Sequence, residues 1–285
     1  NFPDKRQMSP TQEEMTTIIR KHKNILKSKK MFNPDDYQAE FDPDAYFDHF
    51  FSKDSIEDGT RVSLFCLPVF AHIIKKEVPE EGRRTMLDVG AGPTVYSAFC
   101  FRDVVERVYL TDFVRKNLNV LKDWTAEMST YDWHPTIKVI IRSEGGNSTR
   151  ADYERVEQRA RETVRAGGIL FSDVHSDPTV RDLPEQQVDI VISVFCLESA
   201  CKNYAEYRKA LKNMLNHLRP GGRFILGSVL DDDMYNAGNK TMFTLLRLSE
   251  AKILDALTEC NMDVESSKRY TLEDEGVMFG MFKKN

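Results

Sequence analysis

From residue 85 onward, short apolar runs alternate with amphipathic stretches, the pattern of βαβ units around a mainly parallel sheet. The runs predict strands at 85–89, 107–112, 137–142, 169–173, 188–194, 223–229, 263–270 and 276–282. Helical periodicity predicts helices at 62–76, 93–103, 115–128, 149–166, 203–218 and 249–260. In the 149–166 stretch, Tyr153, Val156, Ala160 and Val164 form one apolar stripe, and Arg and Glu cover the rest. Ser148 or Thr149 caps its start and Gly167-Gly168 stops it, so it reads as a surface helix packed on the sheet. Leu218-Arg219-Pro220-Gly221-Gly222 reads as a turn that ends one helix and launches the strand Arg223 to Val229. Upstream, residues 10–30 predict a helix with Thr11 as N-cap and a basic end, and 41–51 is rich in aromatic residues. No internal repeat or low-complexity linker interrupts the chain. The expected fold class is α/β. A main domain spans 61–285, and residues 1–60 form a helix and lid packed on it.

Composition changes this picture little. The chain has 285 residues, enough for one large domain with a full core. A formal net charge of −5 argues against nucleic acid as a partner. No apolar run approaches the roughly 20 residues of a membrane span, and no signal-peptide pattern is present, so the expected location is the cytoplasm. A monomer is expected. The chain opens on Asn1, and its native start is expected upstream. Five widely spaced cysteines suit reduced thiols, and Cys196 and Cys201 lack the partners of a zinc site. His175 between Asp173 and Asp177 reads as a solvent-facing loop, and no metal is expected.

The chemistry concentrates in Leu87-Asp88-Val89-Gly90-Ala91-Gly92-Pro93-Thr94-Val95-Tyr96, followed by Val108 to Phe113. A strand runs into a glycine turn, a helix follows, and a second strand ends in Asp112, 22 residues beyond Gly90, where an acid would hold ribose hydroxyls. A nicotinamide dinucleotide needs a third Gly or Ala at Val95 to make room for its pyrophosphate. Val95 and Pro93 instead favour S-adenosylmethionine (SAM), which has no pyrophosphate, and disfavour an oxidoreductase. The ligand of an open α/β sheet lies beyond the carboxyl ends of its strands. Those ends here carry Gly90, Asp112, Asp173 and Ser193 to Glu198. Phe113 suits an adenine face, Asp173 an adenine amino group, and Val174 the ring.

The sequence resembles the SAM-dependent N-methyltransferases of small molecules, the family of the nicotinamide, phenylethanolamine and indolethylamine enzymes. The resemblance runs from about residue 41 to the C-terminus. It rests on Phe41-x-Pro43-x-x-Tyr46, Asp88 to Tyr96, Thr111-Asp112-Phe113 with Asn117-Leu118, and Tyr131-Asp132-Trp133-x-Pro135. Glu144-Gly145, Phe195-Cys196-Leu197-Glu198 and Pro220-Gly221-Gly222 add to it. It implies a Rossmann-like SAM-dependent methyltransferase fold, with a seven-stranded, mostly parallel sheet, helices on both faces and an N-terminal lid. The implied SAM site comprises Tyr46, Gly90, Ala91, Thr94, Tyr96 and Asp112, together with Asn117, Asp173, Val174 and Val194. Phe50-Phe51 stands where the family commonly has Tyr-Tyr, which removes a hydroxyl toward the SAM carboxylate.

The implied substrate site is acidic. Glu198 and, in Leu230-Asp231-Asp232-Asp233-Met234-Tyr235, Asp232 match positions that serve an amine in the phenylethanolamine enzyme. Ser228 stands where the nicotinamide enzyme has an acid for the carboxamide. Tyr46, Phe195, Tyr235 and Thr244 would line the pocket, with Asp274 or Glu273 as a third acid. An aliphatic amine arrives protonated and must lose a proton before it attacks, and nearby carboxylates bind the cation and accept that proton. The expectation is methyl transfer to an aryl-alkylamine, a small-molecule amine partner, with Glu198 and Asp232 as the catalytic acids. A pyridine such as nicotinamide, or a silent SAM-binding regulatory role, are the alternatives.

Overall fold

The computed structural model describes residues 30–57, 63–146, 149–272 and 276–285. The expected 10–30 helix (apart from Lys30), Ser148, Glu273 and Asp274 fall outside them. The strands are β1 (Lys30–Phe32), β2 (Thr85–Val89), β3 (Arg107–Asp112), β4 (Gly168–Phe171) and β5 (Val188–Val194). They continue with β6 (Leu218–Val229), β7 (Met234–Asn236), β8 (Thr241–Thr244), β9 (Met262–Leu272) and β10 (Val277–Lys284). Seven of them form one sheet in the order β4-β3-β2-β5-β6-β10-β9. Its first five strands are parallel, and β10 runs antiparallel to both β6 and β9. Such a sheet is covered on both faces, which is why its inner strands read as continuous apolar runs. Met86, Leu110, Ile190, Ile192 and Ile225 point into one core with the helices Ser63–Glu77, His134–Ser143 and Arg150–Ala166. Their alternates Leu87, Tyr109, Val191 and Leu226 point into a second core with Tyr204–Leu215 and Glu250–Glu259.

Three expectations about elements need correction. Residues 137–142 form the middle of the helix His134–Ser143, not a strand. Its Val139-Ile140-Ile141 run favours a strand locally, but Pro135 starts a helix, and helical spacing buries Thr136, Ile137, Ile140 and Ile141 together. The Pro220-Gly221-Gly222 turn lies inside β6 as a bulge, with pairing to β5 jumping from Leu218 to Arg223. Gly221 takes φ 77 there. The helix expected at 93–103 spans only Tyr96–Phe101, because the turn after β2 extends to Val95.

Sequence periodicity gives no sign of the second, three-stranded sheet. Its β1 pairs parallel with β8, and β8 pairs antiparallel with β7. The N-terminal segment is thereby fixed to the 234–244 hairpin. Phe41, Ala237 and Phe243 form a small core beneath it, with Tyr37 stacked on Phe243 at 4.1 Å. The aromatic helix Pro43–Phe50 sits on the main core. Phe47 stacks on Tyr131 at 4.0 Å and meets Trp133 edge-on at 5.2 Å. Buried Phe51 stacks on Tyr96 at 5.6 Å. These ring contacts pack the segment against the main core.

Candidate active site

Strand order reverses between β2 and β5, and a crevice opens beyond their carboxyl ends, as such reversals produce. A cavity of about 600 Å³ lies there. Its wall includes Gly90 to Gly92 after β2, Asp112 to Val114 at the end of β3, Ser172 to His175 after β4 and Val194 to Cys196 at the end of β5. The turn after β2 is drawn against β3, with the Gly90 and Ala91 N–H groups both donating to Thr111 O at 3.0 and 2.9 Å. Gly90 (φ 78) and Gly92 (φ 64) take the left-handed backbone that glycine adopts freely. A side chain on Gly90 would run into Cys196, whereas one on Gly92 would meet nothing within 4 Å. That opening lets a ligand lie against the backbone.

Asp112 is buried and organises the crevice. Its Oδ1 accepts from Val114 N–H at 2.7 Å and from the Asn117 amide at 3.0 Å, and its Oδ2 accepts from Gly92 N–H at 2.8 Å. Burial raises its carboxyl, while those three donors pull it down. Oδ2 retains a lone-pair direction, and Asn117 Oδ1 is buried with no partner. The direction left open on Oδ2 suits a ligand that brings hydroxyl donors. The Thr94 hydroxyl is occupied, donating to Ala91 O at 2.7 Å. Asp173 caps its own loop, accepting from His175 N–H and the Ser176 hydroxyl at 2.9 and 2.8 Å. All the expected cofactor residues, from Tyr46 through Val194, line this one cavity. The donor and acceptor set fits the adenosine of SAM. Among the described residues, no cluster of His, Cys, Asp or Glu is arranged to hold a metal.

The expected substrate residues divide. Tyr46, Phe195 and Tyr235 line the cavity; Glu198, Ser228, Asp232 and Thr244 do not. Phe195 sits at φ 57, an uncommon backbone for a bulky residue and one that recurs at functional sites. Glu198 is buried on the short helix Leu197–Ala200, between two wall residues in sequence, and turns toward β6. Its Oε1 accepts from Val229 N–H at 2.7 Å, its Oε2 has no partner, and the Ser228 hydroxyl lies alongside. Burial pushes its carboxyl up to about 7. Asp232 is exposed on the turn after β6. Sequence reasoning assigns no role to Tyr37, Gln38, Ser199, Lys202 or Glu206, which also line the cavity. Lys202 Nζ meets Asp35 at 2.5 Å across the cavity mouth. No motif marks these residues, which come from the N-terminal segment and from the stretch after β5.

A model of the NNMT/PNMT/TEMT family matches residues 29–285. The chain belongs to this family. It is a SAM-dependent N-methyltransferase. Over 82% of its length it is 30% identical to a nicotinamide N-methyltransferase of Caenorhabditis elegans, covering 85% of that protein. Over 88% it is 26% identical to an indolethylamine N-methyltransferase of Oryctolagus cuniculus, covering 95% of it. In fold it is similar to the magnesium protoporphyrin IX methyltransferase of Synechocystis PCC 6803. That match has a TM-score of 0.53 at 12% identity, over 88% of this chain and 95% of the other. The family match extends across the N-terminal segment from residue 29 as well as the sheet. No helix among the described residues is long and apolar enough to cross a membrane.

Proposed function

We propose that this N-methyltransferase acts on a small aryl-alkylamine of the phenylethanolamine or tryptamine type. The charge of the cavity wall carries the reading. Among the described residues, Asp35, Asp112, Asp173 and Glu206 face it against a single lysine, Lys202, itself paired with Asp35. A wall of that sign concentrates cations, and both SAM and an ammonium are cations.

Bound SAM supplies an electrophilic sulfonium methyl. Asp112 with Asn117 holds the ribose hydroxyls. Phe113, Asp173, Val174 and Val194 hold the adenine. The Gly90-Ala91 backbone with Thr94, Tyr96 and Tyr46 holds the amino-acid end. Tyr46, Phe195 and Tyr235 give a flat substrate an aromatic wall and align its nitrogen, which is the main work of an in-line transfer. Glu198, with a carboxyl near neutrality, accepts the ammonium proton through an intervening water. The identity to the C. elegans relative supports a second reading, a pyridine acceptor, which needs no deprotonation.

A panel with labelled SAM at pH 7.5 separates the two. The specificity constant for 2-phenylethylamine or tryptamine should exceed that for nicotinamide at least about tenfold, the scale of one good polar contact. A large advantage for nicotinamide would overturn the amine reading.

A further inference from the structure

The part of the cavity wall that carries Asp173 and Val174 is a loop. Residues 172–187, between β4 and β5, form no helix or strand, so the sheet alone does not fix where these two residues stand. Within the loop, the Asp173 N–H donates to Thr179 O at 2.9 Å and closes a small ring of chain. Two buried side chains that do not line the cavity tie this ring to the rest of the protein. The Asn213 amide donates to Val174 O at 3.1 Å. His217 Nε2 accepts at 3.1 Å from the N–H of buried Val180, the residue after Thr179.

The two anchors stand about one helical turn apart. Asn213 lies on the helix Tyr204–Leu215, and just beyond its end the His217 N–H donates to Met214 O at 3.1 Å. Tyr207, Ala210, Leu211 and Met214 bury this helix in the second core, and His217 O accepts from Val188 N–H at 2.7 Å at the start of β5. A helix packed in this way is a fixed support for a loop. Each bond runs in one direction. A carbonyl only accepts, so the Asn213 nitrogen faces Val174 O, and His217 accepts only with its proton on Nδ1. Burial lowers the pKa of His217 against the pull of Asp177, which keeps the ring neutral at pH 7.5. Removing either side chain leaves a backbone group of the loop without its partner, and the loop must shift to satisfy it.

We propose that Asn213 and His217 are positioning residues that set the adenine selectivity of the cavity through the edge formed by Asp173 and Val174. The proposal rests on the reading of that edge as the adenine site. A carboxylate selects an amino group only while it stands within hydrogen-bond reach, and a displacement of about 1 Å forfeits the contact.

Calorimetric titration of the full chain at pH 7.5 tests this with two ligands. One is S-adenosylhomocysteine, and the other is S-inosylhomocysteine, whose base carries an oxo group in place of the amino group. Wild type should prefer the first at least about tenfold, because the oxo group meets the Asp173 carboxylate as a second acceptor. Asn213→Leu and His217→Leu replace the bond with apolar volume in an apolar surrounding. Each should cut the preference to about threefold or less by weakening S-adenosylhomocysteine. His217→Gln returns an acceptor near the place of Nε2 and should restore the wild-type preference, and the two His217 variants decide the matter even where Asn213→Leu fails to fold. A role in stability alone would lower melting temperatures and leave the preference of the folded protein untouched. An unchanged preference in either leucine variant, or a preference lost equally in His217→Gln, would overturn the proposal while leaving the adenine reading intact. Wild-type protein that binds both ligands equally would overturn that reading and the proposal with it.

Discussion

The two ends of the cavity are built by different means. The proposed cofactor end is a glycine turn tied to Thr111 O together with strand-end side chains whose places follow from the parallel sheet. The proposed acceptor end is side chains brought from separate segments. It joins the residues after β5 to the N-terminal segment and the 234–244 hairpin, the last two of which meet through the ladder of β1, β8 and β7. A glycine turn tolerates few added atoms but many changes nearby. A side-chain site can be repolarised one residue at a time. Within one family the first end therefore stays recognisable while the second can change its substrate.

The largest effect should come from Gly90→Ala. The new Cβ meets Cys196 at a position already at φ 78, so both strain and a clash oppose it. S-adenosylhomocysteine affinity should fall on the order of 100-fold, with a lowered melting temperature. Gly92→Ala, at φ 64 with open space around it, carries strain alone and should lose only about 1 kcal/mol. Equal effects would erase the contrast between a filled and an open position.

Glu198→Gln comes next. Turnover of an amine should drop about 10- to 100-fold with cofactor affinity unchanged, and the rise of wild-type turnover through pH 7 should disappear. The same carboxyl gives a stability signature. Burial raises both Glu198 and Asp88 to about 7, from ordinary values of 4.5 and 3.8. Between those values and about 7 the native state holds more protons than the unfolded chain. Native stability therefore falls as pH rises through that window, by roughly 3 to 4 kcal/mol for each group. Thermal melts at pH 5 and 8 should differ accordingly, and less so in Asp88→Asn and Glu198→Gln. Melting temperatures that rise from pH 5 to 8 in wild type alone would contradict the burial argument. The smallest effect is expected for Asp232→Asn, which acts on an exposed carboxyl outside the cavity wall. Turnover should change by less than about threefold, as for most exposed charges.

The same division governs what is legible in the sequence. Gly90, Asp112 and Asp173 announce themselves because strand, turn and strand-end residue are local signals repeated by each βαβ unit. The helix His134–Ser143 reads wrongly because its β-branched run speaks for a strand, and only packing against Trp133 and the helix Ser63–Glu77 decides otherwise. Tyr37 and Ser199 carry no signal at all. Tyr37 lies on a segment held by the pairing of Lys30–Phe32 with residues 241–243, a contact between distant parts of the chain through strands too short for periodicity to detect. Resemblance singles out Glu198 and Asp232 together, yet one is buried and the other exposed, a difference that depends on the turn after β6.

The central claim is that a single strand-end carboxylate anchors the cofactor in this cavity. Titration of wild-type and Asp112→Ala protein with S-adenosylhomocysteine tests it most directly. Loss of the carboxylate leaves ribose donors unpaired, and the affinity should fall about 30-fold or more, roughly 2 kcal/mol, with the fold retained. An Asp112→Ala protein that binds the ligand as tightly as wild type would contradict it.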